Sequence, residues 1–168
     1  PGITKTEQRL LLADDFWLYD TPGMLWPKII VPQSGYNLAA SGAVGRNALD
    51  EETVALELID YLRRHYLPLL QARYAADKDP SSHWDDTSWL EWIARKRGAL
   101  LGGGRVNYQK AAENVLTDFR EGAIGRITLE TPRQWEEWLK AARKKEAELK
   151  AEREARKAAR SGQENREE

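Results

Sequence analysis

The chain has 168 residues, room for one ordinary domain or two small ones; it is 41% hydrophobic and 32% charged, with seven tryptophans. It has no cysteine, which excludes disulfides, zinc–thiolate sites and thiol nucleophiles, and with only His65 and His83 a histidine-built metal site is not expected. No apolar run approaches the roughly 18 residues of a membrane-spanning helix and no secretory signal pattern is present, so a cytoplasmic protein that does not engage a membrane is expected.

The net charge of −1 conceals an asymmetry. Between Lys140 and Arg160 nine Lys/Arg stand against four Glu, a net +5 on an otherwise acidic chain. A basic arm on an acidic body points weakly to nucleic acid. The start, Pro1-Gly2-Ile3-Thr4, has no initiator methionine and reads as a piece cut from a longer protein.

Arg9 to Ala13 and Phe16 to Tyr19 are short apolar runs separated by Asp14-Asp15, the pattern of a two-stranded hairpin, and the second strand is expected to be buried. Ile127 to Leu129 could extend it. After Pro32 the pattern is helical. Asp50 is a candidate N-cap, with Glu51 and Glu52 in the first turn where the helix dipole favours carboxylates; Val54, Leu58, Tyr61 and Leu62 follow at helical spacing. Pro68 bounds that helix, and Leu69 to Tyr74 begins another. Ala75 to Asp86 reads as a loop. Thr87 is a candidate cap for a helix with Trp89, Trp92 and Ile93 inward, stopped by Gly98. Asn107 caps the next, with Ala112, Val115, Leu116 and Phe119 inward, ended by Gly122. Thr131-Pro132 starts the last helix, docked by Trp135, Trp138 and Leu139. Beyond Leu139 its apolar residues are nearly all alanine and Glu/Lys/Arg pairs recur at i,i+4, so a solvated helix fraying at Ser161-Gly162 is expected.

Asp20 stands at the carboxyl end of the second predicted strand, where open α/β sheets bind ligands. A carboxylate there can hold Mg²⁺, and Gly23 would let backbone approach a phosphate; Asp-x-x-Gly does this work in P-loop NTPases. Four residues with two fixed recur by chance, and an ordinary Asp/Pro-Gly turn is an equal reading. Thr4, in a loop upstream of the hairpin, shifts the balance, since its hydroxyl could reach the same ion. A threonine loop, a hairpin and an Asp-x-x-Gly turn in that order form the switch I–switch II arrangement of GTPases.

The segments PGITKTEQ, DTPGMLWPK, NLAASGAV and KRGALLGGGRVNYQKAAENVLTDFREGAIGRITLETP resemble the ribosome biogenesis GTPase A (RbgA/YlqF) family from Pro1 to about Pro132. That family is circularly permuted, with guanine motif and phosphate loop first, then the switches, then a helical domain considered RNA-binding. The resemblance implies Thr4 and Asp20 as Mg²⁺ ligands and Gly23 as the γ-phosphate donor; since the chain passes from the second switch straight into the helical domain in that order, Leu25 to Pro27 are expected to form a joint passing nucleotide state onward. It also implies a role in late assembly of the large (50S) ribosomal subunit. The sequence departs from the family in lacking both G-x-x-x-x-G-K-[ST] and a guanine-recognition motif. GTP and Mg²⁺ therefore belong to the parent protein; this chain alone is expected to bind neither and to be inactive.

In the helical part, Arg95, Lys96 and Arg97 close one helix, Arg105, Asn107 and Lys110 follow Gly102 to Gly104, and Arg120 and Arg126 flank the next helix end. Folded together by the glycine turn, they would form a basic face for rRNA with backbone open to close approach. Solvated surface and helix-dipole complements are the plainer reading of the same residues. The expected architecture is mostly α: a partial α/β G-domain hairpin (1–32), a small all-helical ribosome-binding domain (33–139), and a basic helical extension with a disordered tail (140–168). The expected partner is rRNA in the large subunit, not DNA, and the chain a monomer. A non-enzymatic helical RNA- or protein-binding module with an incidental turn at Asp20 is the alternative.

Overall fold

The computed structural model describes residues 8–20, 29–45, 49–76 and 81–164, with the side chains of 8, 20 and 157–164 left out. Among them the architecture is mostly helical with one small sheet: β1 (Gln8–Ala13), β2 (Phe16–Asp20), α1 (Pro32–Ala40), α2 (Glu51–His65), α3 (Leu67–Tyr74), α4 (Asp86–Lys96), α5 (Tyr108–Arg120) and α6 (Pro132–Glu164). The chain forms two compact units, Pro1–Pro27 with Gly35–Leu129, and Lys28–Ser34 with Glu130–Glu168.

β1 and β2 pair antiparallel across the Asp14-Asp15 turn, with Leu10 opposite Leu18 and a register shift between Leu11 and Ala13. Asp15 takes φ 65°, a conformation Asp tolerates better than most side chains. The strand expected to be buried is not: Phe16 is 61% and Trp17 43% exposed, and Leu18 and Tyr19 are exposed as well. A two-stranded ribbon has two faces and, among the described residues, no further strand to share them. Ile127 to Leu129 adds no strand; Ile127 and Leu129 pack as partly buried residues against the helical core.

That core is built by α2, α4 and α5, with α3 alongside. Ile59 and Leu62 of α2, Leu70 of α3, Trp89 and Ile93 of α4, and Val115 and Leu116 of α5 are fully buried or nearly so. Ile59 and Leu62, Trp89 and Ile93, and Ala111, Ala112, Val115 and Leu116 recur at three- or four-residue steps, which puts each set on one stripe of its helix. The caps are local chemistry. Asp50 accepts from Thr53 N at 2.8 Å, and Asn107 accepts from Lys110 N at 3.0 Å. For α4 the cap is Asp85, accepting from Ser88 N at 2.7 Å, and not Thr87, because the free N–H groups of the first turn lie two and three residues past Asp85. Thr131 and Gln134 form a reciprocal capping box at the start of α6.

The helix ends are equally legible. At α5 the N–H of Gly122 bonds Phe119 O and that of Ala123 bonds Asp118 O, with Gly122 at φ 71°. The end of α3 uses the same device without glycine: Ala75 sits at φ 50° and Ala76 N donates to Gln71 O at 3.0 Å. An L side chain pays about 1 kcal/mol or more there.

In the second unit α6 is one helix that continues through Ser161 and Gly162 to Glu164, since a single interior glycine costs only about 1 kcal/mol against a run of Ala, Glu, Lys and Arg. Ser34 Oγ donates to Glu130 Oε2 at 3.0 Å. Trp138 and Leu139 are half-buried, but Trp135, expected to dock the helix, is 42% exposed. Trp135 lies three residues before Trp138, about 60° away around the helix axis, at the margin of the face that Trp138 occupies.

Replacing Ala75 by glycine removes the left-handed strain at the end of α3. Thermal unfolding of Ala75→Gly should shift upward by a few degrees, about 0.5–1 kcal/mol after the added chain entropy is counted. An unchanged or lower midpoint would contradict the strain.

Candidate nucleic-acid interface

From Trp92 to Lys110 the sequence holds five Lys/Arg and no Asp or Glu. This segment comprises the last turn of α4, the glycine loop and the first turn of α5. Its backbone is pinned at both ends. Gly98, at φ 67°, terminates α4, and Ala99 N donates to Ala94 O at 2.8 Å. Leu100 and Val106 form a bridge, Leu101 N donates to Arg105 O at 2.7 Å, and Asn107 N donates to Ala99 O at 2.9 Å. The loop is thus a small hairpin whose tip is Gly102–Gly104, with Leu100 and Leu101 42% and 47% exposed beside it.

The basic residues divide by what holds them. Arg97, at the rim, is committed to an internal partner: its Nη2 donates to Asp118 Oδ1 at 2.7 Å. Arg73 donates to the same carboxylate through Nε at 3.2 Å and Nη2 at 2.7 Å, and the Tyr74 hydroxyl donates at 2.9 Å. Asp118 is therefore a nearly buried acceptor shared by α3, the end of α4 and α5. Burial pushes its carboxyl up, but the bonds from Arg73, Arg97 and Tyr74 outweigh that and hold it below the usual carboxylate range. Burial, then the Asp118 charge, push the Tyr74 hydroxyl well up, so it stays a donor at any working pH.

Arg120 is also committed, its Nε donating to Ala40 O and its Nη2 to Ala39 O, both at 2.9 Å, where it satisfies the last carbonyls of α1. Asn107 caps α5. Lys96 lies 4.5 Å over the Trp92 ring, and Lys110 pairs with Glu113 at 3.0 Å; both remain exposed. Arg95, Arg105 and Arg126 are exposed. Arg95, Lys96, Arg105 and Lys110 thus share one short pinned segment, whereas Arg97 and Arg120 serve the fold.

Sequence reasoning missed Asp118, Arg73 and Tyr74. The available signal is that Asp118 continues the inward stripe of Ala111 and Val115, and a carboxylate on a buried stripe must find cations. His65 ends α2 with its ring 4.5 Å from that of Tyr61, and His83 closes a single 3₁₀ turn.

Of the residues expected to face a nucleotide or pass its state onward, Thr4, Gly23 and Leu25 to Pro27 lie outside the described residues, and Asp20 is described only as the last backbone position of β2. Among the described residues no group of three His, Asp or Glu could hold a metal ion, and no helix is long and apolar enough to cross a membrane. Asp20 by itself does not make a magnesium site.

Known proteins with this sequence pattern share one theme. Ribosome biogenesis GTPase A of Priestia megaterium is 37% identical over 139 residues, 83% of this chain and 47% of its own length. The protein of the same name from Bacillus cereus is 34% identical over 144 residues, 86% of this chain and 48% of its own. Mouse mitochondrial ribosome-associated GTPase 1 is 34% identical over 145 residues, 77% of this chain and 43% of its own. The chain spans about half the length of the curated relatives it matches. A solved structure described as GDP-bound YlqF superposes with a TM-score of 0.50 at 20% identity, covering 79% of this chain and 52% of that one, and so shares the fold. No family model matches. The chain is thus a relative of ribosome-linked GTPases. It corresponds to the C-terminal part of the ribosome biogenesis GTPase A (RbgA/YlqF) family.

Removing the Asp118 carboxylate leaves two guanidiniums and a hydroxyl facing each other. Asp118→Ala should lose roughly 2–4 kcal/mol in denaturant unfolding, below the cost of a fully dry pair because Arg73 and Arg97 are partly solvated. A carboxyl held low in the folded state contributes stability above its unfolded value, about pH 4, and loses it as pH falls through the folded value. The wild-type midpoint should therefore drop more steeply than that of Asp118→Asn as pH falls below about 4; parallel curves would count against the network.

Proposed function

We propose that this chain is the C-terminal part of a GTPase that acts in late assembly of the large ribosomal subunit, and that its helical unit binds ribosomal RNA there in a GTP-dependent manner in the cytoplasm. The observation that carries this reading is the similarity to ribosome biogenesis GTPase A relatives over about four-fifths of the chain. The acid-free segment from Trp92 to Lys110 supports it by supplying exposed Arg95, Lys96, Arg105 and Lys110 on a pinned backbone, and Arg126 adds a further exposed cation. Phosphate contacts of this kind gain affinity by releasing counterions from the nucleic acid.

In the parent, Thr4 and Asp20 would face the magnesium of bound GTP and Gly23 the γ-phosphate, so that this end of the G domain reports nucleotide state to the helices. The phosphate-binding lysine loop is not in this sequence, and the chain alone lacks the groups that hold the nucleotide. Isothermal titration of GTP with Mg²⁺ into the chain should show no binding in the micromolar range; micromolar affinity would refute this assignment of parts.

The basic stretch of α6 adds a second, purely electrostatic grip. Co-sedimentation with large-subunit particles should show binding by the chain, and by the intact parent more strongly with a non-hydrolysable GTP analogue than with GDP. Removing residues 140–160 should weaken particle binding and flatten its dependence on salt, because each lost phosphate contact lowers the slope by about one. No sedimentation of the chain at low salt would overturn the RNA-binding role.

A further inference from the structure

Most glycines at the turns of this chain are explained by their own backbone. Gly98, Gly103, Gly104 and Gly122 have φ between 67° and 75°, where a side chain is strained. Gly125, at φ 135°, would also bring a Cβ to 3.0 Å from Leu69 Cδ1. Gly102 is different, and shares with Gly45 alone among the described glycines outside the α-helices an ordinary φ and an open Cβ position; only Gly102 stands in a pinned basic hairpin. It is not among the positive-φ glycines, and a Cβ built on it meets nothing within 4 Å. Neither conformation nor internal packing asks for glycine there.

Its surroundings do suggest an outside contact. Gly102 opens the exposed tip of the hairpin between α4 and α5, and Cβ atoms at Gly103 and Gly104 would likewise meet open space. The base of the tip is fixed by the Leu101–Arg105 hydrogen bond and the Leu100–Val106 bridge. Beside it stand two exposed leucines and Arg105, within a stretch that carries no acid. A bare backbone on a rigid base, an apolar flank and adjacent cations match the needs of a sugar–phosphate backbone. The bare tip admits it to van der Waals distance, the leucines cover ribose faces, and guanidinium and ammonium groups take phosphates. Glycine-bearing loops clamp nucleic-acid backbones in this way in other RNA-binding modules.

We propose that the Leu100–Arg105 hairpin is a sugar–phosphate clamp for single-stranded or looped RNA, with Gly102 kept bare for the approach of the RNA and not for the fold. The proposal rests on the RNA-binding reading above and locates its closest contact. It separates steric from electrostatic effects. Gly102→Val adds bulk at the tip without removing charge, whereas Arg105→Gln removes one charge and leaves the tip bare.

The test is binding of the full chain to purified bacterial large-subunit ribosomal RNA, and in parallel to intact large-subunit particles, across a salt series, with thermal unfolding of each variant. Gly102→Val should unfold within a degree or two of wild type, bind the RNA about tenfold more weakly, and keep the wild-type salt slope. Arg105→Gln should bind more weakly with the slope reduced by about one. If the wild-type chain does not bind the RNA, the RNA-binding reading and the clamp both fall. If wild type binds and Gly102→Val binds equally well, the clamp falls and RNA binding stands. A loss seen with particles but not with naked RNA would assign the hairpin to a ribosomal protein and overturn the clamp. Should Gly102→Val unfold early, the premise that the fold tolerates a side chain there fails, and the inference with it.

Discussion

One carboxylate ties three segments of the helical unit together. Asp118 sits on the buried side of α5 and takes hydrogen bonds from Arg73 and Tyr74 of α3 and from Arg97 just past α4. An ionised carboxylate at that depth is tolerable only with its lone pairs filled, and the two arginines at the rim bring the charge it needs. Three segments far apart in sequence are thereby fixed against one another. The end of α4 is one of them, so the base of the glycine hairpin is held where the ion cluster holds Arg97. The apolar stripes of α2, α4 and α5 supply the bulk of the cohesion; Asp118 adds directional bonds that tie α3 and the end of α4 to α5.

The same cluster sorts the cations. In sequence, Arg95, Lys96 and Arg97 are three equal members of a basic triplet. In the structure one turns inward to Asp118, one lies over Trp92, and one is left to solvent. Arg120, apparently a surface residue at a helix end, instead satisfies the carbonyl ends of α1. The cations not committed to internal hydrogen bonds are therefore fewer than the sequence suggests, and four of them, Arg95, Lys96, Arg105 and Lys110, lie along one pinned hairpin and its flanking helix ends. A small rigid patch of this kind positions a nucleic acid more than it merely attracts it, whereas the extended charge of α6 attracts without fixing a register.

Much of the fold was legible in the sequence because the signals are local. Asp50, Asn107 and Thr131-Pro132 mark helix starts through side-chain bonds to N–H groups two or three residues on; Gly98 and Gly122 mark ends through a backbone conformation that glycine adopts freely. The stripes led by Leu58, Ile93 and Val115 gave the core faces, and Asp14-Asp15 gave the hairpin. Exposure was much less legible. Phe16 to Tyr19 and Trp135 look like core by composition, yet stand in solvent because no layer among the described residues covers the ribbon and Trp135 lies at the margin of the Trp138 face. Burial depends on neighbours, which a hydrophobic pattern does not identify.

The candidate site divides along the same line. The sequence by itself determined the family resemblance, the mostly helical class, several helix caps and stops, and the concentration of charge between Trp92 and Lys110, all of which are set by residues within a few positions of one another. Only the tertiary structure decided that Asp118 takes Arg73 and Arg97, that Arg120 closes α1, and that Gly102 stands at an open tip with nothing of its own chain to accommodate. Those outcomes turn on contacts between residues 21 to 81 positions apart, where side-chain reach and packing, and not local propensity, choose the partner.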